Sequence, residues 1–370
     1  MRLFARKVSP LAPAPVEAPP SFKLPQTSAT ESAMRIPGLA KRRFRCRWLG
    51  LDIGSSAVKV VELSRVDESY RVEAFAIEPM PAGSVVAGNI SDARTVGEAI
   101  RRACRRAGVK PKKVCAGIRN SAVITKTLEM DATLDDRQME AEVTREAGRH
   151  IPFPMEDVVI DFEPMHLSAR DPSKIDVLLV ACRVEHVAQR LEAAEVAGLD
   201  LDVVDVESHG AHHAVVQTAG SITPVALAHI GATTTTVMLV NGDSAVTREE
   251  PFGLWADWSG GAADSPPPGR AIEASAVDPL LALLARLLRL VLLASQSESV
   301  DRLLLAGGGA AIPGLAEGAA ERLGVPVEIA NAFHGMTVSP RADRETLAEL
   351  APALFTASGL AARGLAEIRT

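Results

Sequence analysis

Leu51-Asp-Ile-Gly-Ser-Ser-Ala-Val-Lys59 is a short apolar run, then a glycine turn set with hydroxyls, and it leads into a second apolar run, Val58-Lys-Val-Val-Glu-Leu63. The pattern returns at Ala228-His-Ile-Gly-Ala-Thr-Thr-Thr-Thr236, ahead of Val237-Met-Leu-Val240. A third glycine turn ends Leu304-Leu-Ala-Gly-Gly-Gly-Ala310. A strand, a glycine turn and a strand aim backbone N–H groups at a phosphate, because glycine allows positive φ and close approach while Ser and Thr add donors. The first two turns read as one device used twice. They predict a duplicated α/β chain whose halves close on a single cleft.

Composition sets the outer limits. A chain of 370 residues with 47% hydrophobic content can bury two cores, and with only 4% aromatics those cores must be built from Val, Leu, Ile and Ala. No stretch reaches the roughly 18 apolar residues of a membrane span. The nearest, Pro279 to Ser295, carries Arg286 and Arg289 and reads as an amphipathic helix. The start of the chain lacks a signal-peptide core, and Cys46, Cys104, Cys115 and Cys182 show neither disulfide-framework nor metal spacing, which predicts reduced thiols in a cytoplasmic protein. The first 47 residues hold ten Lys/Arg against Glu17 and Glu31 and are rich in proline. Residues 1–48 are therefore expected to be a disordered leader. Its end, Lys41-Arg-Arg-Phe-Arg-Cys-Arg47, could touch an anionic membrane surface, and Met34 is an alternative start. The acidic balance of the remaining chain argues against nucleic acid.

Periodicity supplies the organisation. Lobe-one core is expected over 49–113, with a helix capped by Ser91 and stopped by Gly108, its outer face carrying Arg101, Arg102, Arg105 and Arg106. Residues 114–199 read as an α+β unit. In it, a helix opened by Thr133-x-x-Asp136 places Met139, Val143 and Ala147 on one face and is ended by Ile151-Pro-Phe-Pro154. Strands at Val158 to Glu163 and Ile175 to Cys182 follow, then a helix stopped by Gly198. A crossover covers 200–221 and lobe two covers 222–354. Within lobe two, 256–279 reads as a mobile loop around Ser259–Gly269, flanked by Trp255 and Trp258. Residues 355–370 hold a closing helix. His209 and His213 stand one helical turn apart, but Gly210 occupies the position where a zinc protease has Glu, so they read as helix-surface residues.

Four segments together resemble the PilM family of type IV pilus assembly, a relative of FtsA: Gly50 to Ser64; Glu146 to Phe162 with its Ile-Pro-Phe-Pro core; Ala197 to Glu207; and Leu305 to Leu315. The resemblance spans about 49–370 and implies the bilobed actin-like fold shared with Hsp70 and sugar kinases, with an FtsA/PilM-type α+β insert in lobe one. It also implies ATP and Mg²⁺ as cofactors. Gly54, Ser55, Ser56 and Lys59 would hold phosphates against Gly231, Ala232, Thr233 and Thr235, with Gly307, Gly308 and Gly309 beneath the nucleoside. Asp52 would meet the metal through water, and Asp205 and Glu207 would approach the attacking water. The implied partner is a PilN-like inner-membrane protein whose N-terminal tail docks near Ile151, Phe153 and Pro154. Such a protein is cytoplasmic, peripheral to the inner membrane through its partner, and links the membrane platform to the pilus motor.

Two features depart from the family pattern. His229 stands where relatives open the second turn with Asp, and Ser259–Gly269 shortens a helical stretch that grips ribose and base. The expectation is therefore a scaffold with a weak or degenerate ATPase. An actin-like ATPase switch is the alternative, and an FtsA-like division protein is a weaker one, since it needs an amphipathic C-terminal anchor and Gly364 to Thr370 is too short to provide it.

Overall fold

The computed structural model describes residues 46–66, 69–111, 113–168, 170–219, 224–242, 244–253 and 277–366. Residues 1–45, with Met34 and most of the basic run, the Ser259–Gly269 loop, Trp255, Trp258 and residues 367–370 lie outside them.

β1 (Arg47–Ile53) and β2 (Ala57–Val66) form the first hairpin, with Asp52 opposite Lys59, and β3 (Ser69–Pro79) extends it. After a small hairpin of β4 (Val85–Val86) and β5 (Asn89–Ile90), α1 (Ala93–Ala107) crosses to β6 (Val114–Ile118), parallel to β1. Next come β7 (Val123–Asp131), α2 (Asp136–His150), β8 (Val158–Leu167), β9 (Lys174–Arg183) and α3 (Val184–Ala197). β10 (Val203–Val206) returns beside β6, and α4 (Glu207–Ala219) crosses to the second lobe. That lobe holds β11 (Val225–Ile230), β12 (Thr235–Asn241), β13 (Ser244–Glu250), α5 (Val277–Ser295), β14 (Arg302–Ala306), α6 (Leu315–Leu323) and β15 (Val327–Ile329). β16 (Thr337–Val338), α7 (Arg344–Leu350) and α8 (Phe355–Ala366) complete the chain.

The duplication is explicit in the sheets. One runs β10-β6-β1-β2-β3-β16 and the other β15-β14-β11-β12-β13. In both, a three-stranded antiparallel meander is joined on the side of its first strand by two parallel strands. β1 is buried from Trp48 to Ile53, as expected of a strand covered on both faces. α1 covers one face with Val96, Ile100, Ala103 and Cys104, and α8, buried almost throughout, covers the other. Where α8 meets β1 and α4 most closely, only glycine fits. A Cβ on Gly50 would stand 1.9 Å from the Ala357 carbonyl oxygen, and one on Gly359 would stand 1.8 Å from that of Gly210 in α4. In the second lobe α5 buries Leu280, Leu284, Leu287 and Val291, each contributing about 1.5–3 kcal/mol.

The predicted 114–199 unit is too wide. β6 belongs to the large sheet and α3 packs on α1, so the separate sheet is β7-β9-β8, spanning Val123 to Arg183, with β9 central and α2 on one face. The lobe-two boundary at 354 is also late, because β16 already pairs parallel with β3. α5 begins at Val277, inside the expected loop. Two caps shift by one or two residues. Asp92, not Ser91, accepts from Thr95 N at 3.0 Å, and the capping box is Asp135 with Gln138, since the Thr133 hydroxyl donates to Asp131 in the preceding turn.

Candidate functional site

The two glycine turns are built alike and face each other. Gly54 N–H donates to the Ala57 carbonyl at 3.1 Å and Gly231 N–H to that of Thr234 at 2.8 Å. Between them the Ser55 and Thr233 hydroxyls share a 2.8 Å hydrogen bond, so the turns touch across the cleft. Gly253 lies against the second turn, where a Cβ would be 2.5 Å from Thr233 N. Ser56 and Ala232 complete the tips of the two turns.

Behind the first turn, Lys59 Nζ donates to Asp52 Oδ2 at 2.9 Å in a largely buried ion pair. Behind the second, the equivalent cross-strand pair is His229 opposite Thr236. His229 Nε2 is buried and meets no hydrogen-bond partner among the described residues. Burial, with Lys59 and Arg119 nearby, pushes its pKa down to about 4 against the pull of Asp52, so the imidazole is neutral at pH 7.

Glu207 opens α4, at the end of β10. Burial and the Asp52 charge push its carboxyl up to about 7, opposed by Arg119 and Arg190. Its fit needs Gly117, where a Cβ would lie 2.9 Å from Glu207 Cγ. Asp205 does not face the cleft. Its carboxylate accepts from His209 Nδ1 at 3.0 Å, from Val206 N–H at 2.7 Å and pairs with Arg363 Nε of α8 at 3.0 Å. Burial alone would raise this carboxyl, but those partners outweigh it and hold it below its ordinary value. The expected catalytic place of Asp205 is therefore corrected to a buried tie between β10, α4 and α8. Thr235 is corrected likewise, since it is fully buried and its hydroxyl donates to the Phe252 carbonyl at 2.7 Å.

Of the three consecutive glycines, Gly307 is the constrained one. Its φ is +84° and a Cβ would stand 2.3 Å from the Ile230 carbonyl oxygen, whereas Gly308 has open surroundings and Gly309 is buried. Ile151 is also reassigned. As the cap of α2 it continues the Met139, Val143, Ala147 stripe into the small core. Phe153 and Pro154 are exposed, Phe153 beneath the Arg183 guanidinium at 5.7 Å. His212 meets the Gly242 carbonyl at 3.0 Å, and burial beside Arg363 pushes His213 down to about 4.

Sequence reasoning missed two arginines. Arg119, just past β6, donates to the Thr234 hydroxyl of the opposite turn and lies 3.7 Å from Glu249 of β13. Arg190 of α3, 1% exposed, is held by the carbonyls of Gly117 (2.8 Å), His186 (2.9 Å) and Gly88 (3.4 Å). Arg119 had one legible sign, its place at the carboxyl end of a parallel strand, where ligands of open α/β sheets gather.

A family model described as type IV pilus assembly protein PilM matches residues 50–254 and 276–365. The chain belongs to the PilM family. It is similar to the solved PilM–PilN type IV pilus biogenesis complex, at 29% identity and a TM-score of 0.73, with 86% of this chain and 98% of that one covered. A diol dehydratase-reactivating factor in nucleotide-free form matches at 10% identity and a TM-score of 0.50, over 85% of this chain and 98% of that one, and shares the fold alone. The bilobed actin-like architecture of the PilM family is thus the architecture of this chain. No helix among the described residues is long and apolar enough to cross a membrane.

Proposed function

We propose that this PilM-family chain is a scaffold of type IV pilus assembly that captures the N-terminal tail of a PilN-like inner-membrane protein and links the membrane platform to the motor. The observation that carries this reading is the match to the PilM–PilN complex over nearly the whole of both chains. The small sheet supports it. Its outer strand β8 presents exposed Met165 and Leu167, and Phe153 stands exposed ahead of that strand, so an extended tail would find apolar anchors next to a free strand edge. The chain would then sit at the membrane through its partner, with residues 41–47 adding contact to anionic lipid.

In the same reading Gly54, Ser55, Ser56, Lys59, Gly231, Ala232 and Thr233 form a phosphate clamp, and a nucleotide that parts the Ser55–Thr233 contact would alter how the lobes meet. A fluorescence-anisotropy titration of a labelled PilN-type tail against the full chain, with and without ATP, tests both parts. Saturable binding weakened by Phe153→Ala is expected, and no binding in either condition would remove the scaffold reading. A several-fold shift with ATP is expected for modulation, and identical curves would remove that part alone.

A further inference from the structure

Mg²⁺ accompanies the nucleotide in the implied family chemistry, and it asks for a nearly octahedral shell of oxygens, commonly one or two carboxylates with waters and phosphate oxygens. The residues of this cleft do not fit it. Asp52 is already paired with Lys59 at 2.9 Å, and Asp205 is tied to Arg363 and His209. The position equivalent to Asp52 in the second lobe is His229, a neutral imidazole whose Nε2 is shielded from solvent. Glu207, the cleft's other carboxylate, is acted on by the Arg119 and Arg190 charges.

What the cleft offers an anion is two cations, Lys59 beside Asp52 and Arg119 beside Glu249, together with hydrogen-bond donors. We propose that it takes a polyphosphate chain without a divalent cation, with Lys59 and Arg119 supplying the positive charge and His229 donating a hydrogen bond. This rests on the phosphate clamp read above. Arg119 already reaches from the first lobe to Thr234 of the second turn, and its planar fork suits phosphate oxygens. Its other neighbour, Glu249, is 3.7 Å away, a distance that an entering phosphate can contest. A neutral imidazole carries one N–H donor, whereas an aspartate at the same place would repel phosphate unless a metal stood between them. The buried, unpartnered His229 Nε2 is consistent with that use. Its environment keeps the ring neutral at pH 7. On entry the phosphates part the Ser55–Thr233 hydroxyl pair, and Lys59 at the first turn stands between them and Asp52.

Isothermal titration calorimetry on the full chain provides the test, with ATP and inorganic tripolyphosphate as probes, each in EDTA and in excess Mg²⁺. Binding in EDTA within about threefold of that in Mg²⁺ is expected, and Arg119→Gln should weaken it at least about tenfold, the equivalent of a charge-assisted hydrogen bond. His229→Asp should make binding depend on Mg²⁺. Should Arg119→Gln fail to fold, Arg119→Lys keeps the charge but not the fork and is expected to bind several-fold more weakly in EDTA. Wild-type binding that needs Mg²⁺, arginine variants that bind like wild type, or no binding of either probe would overturn the proposal. Binding of both probes identifies the phosphate chain as the ligand. Binding of ATP alone, metal-free, retains the proposal with the nucleoside as an added contact. The tail titration on the same preparation separates the two readings, since intact tail binding without polyphosphate binding removes only this one.

Discussion

In the first lobe Lys59 and Asp52 face each other across the hairpin as an ion pair, and in the second the same two positions hold Thr236 and His229. The turns ahead of them close with the same Gly N–H to carbonyl bond. Their flanking parallel strands differ in the same direction. Continuing the register beyond the paired residues, Arg119 past β6 takes the place that Gly308 takes past β14. The backbone frame was thus duplicated faithfully while the charge was concentrated in one half. The first lobe carries Asp52, Lys59, Arg119 and Glu207, and the second contributes glycine, hydroxyls, a neutral ring and the single charge of Glu249. Frame and chemistry are separable in this fold, because the turn geometry depends on backbone bonds and the charges depend on side chains behind it.

The largest effect should come where the frame itself is crowded. Gly307→Ala places a Cβ 2.3 Å from the Ile230 carbonyl oxygen in a φ of +84° and ψ of 174°. Such backbone is essentially glycine-only, and strain plus overpacking should cost about 3–5 kcal/mol. Gly308→Ala, with nothing near its Cβ, should stay within about 0.5 kcal/mol. Thermal melting of both variants checks this, and equal losses would mean that the second lobe does not constrain its glycines individually.

Next in size is the cross-strand pair. Lys59→Met leaves the Asp52 carboxylate, 4% exposed, without its partner, and breaking such a buried pair should cost about 3 kcal/mol. The matching change in the second lobe, Thr236→Val, removes only a 3.5 Å contact to Glu249 and should cost less than about 1 kcal/mol. Adding Asp52→Asn to Lys59→Met should recover part of the loss. Urea unfolding midpoints decide between them. Comparable costs in the two lobes would break the contrast drawn above.

How far this could be read from residues alone follows from distance along the chain. The three glycine turns, the α1 and α2 stripes, the stops at Gly108 and Gly198 and the family resemblance are local patterns, and all were legible. The Asp205–Arg363 tie and the Arg119–Thr234 reach join residues far apart in sequence, and the place of Arg119 past a parallel strand is the one local mark among them. Ile151 shows a local pattern read too literally. The Ile-Pro-Phe-Pro segment marks the end of a helix, and the residue that caps it turns inward because the buried stripe of α2 ends there. β16 is too short to announce that it belongs to the first lobe.

The smallest effects are those of pH, and the two lobes should show them with opposite sign. Glu207 is raised from 4.5 to about 7, so the fold favours its protonated form. Its contribution is complete below pH 4.5 and is lost as pH rises through 7. Glu207→Gln should therefore be more stable than wild type at pH 8, by on the order of 2 kcal/mol, and equal to it in acid. His229 is lowered from 6.5 to about 4, so its contribution is complete above pH 6.5 and is lost as pH falls through 4. His229→Gln should leave stability at pH 8 nearly unchanged and reduce the acid loss at pH 5 by about 1 kcal/mol. An acid limb persists in the variant because His213, also lowered to about 4 by burial beside Arg363, remains there. Melting temperatures of the wild type and both variants across pH 4.5 to 8.5 separate the limbs. A His229→Gln profile that moves only on the alkaline side would place the ring in contact with a carboxylate, as a charged ring and not a neutral one.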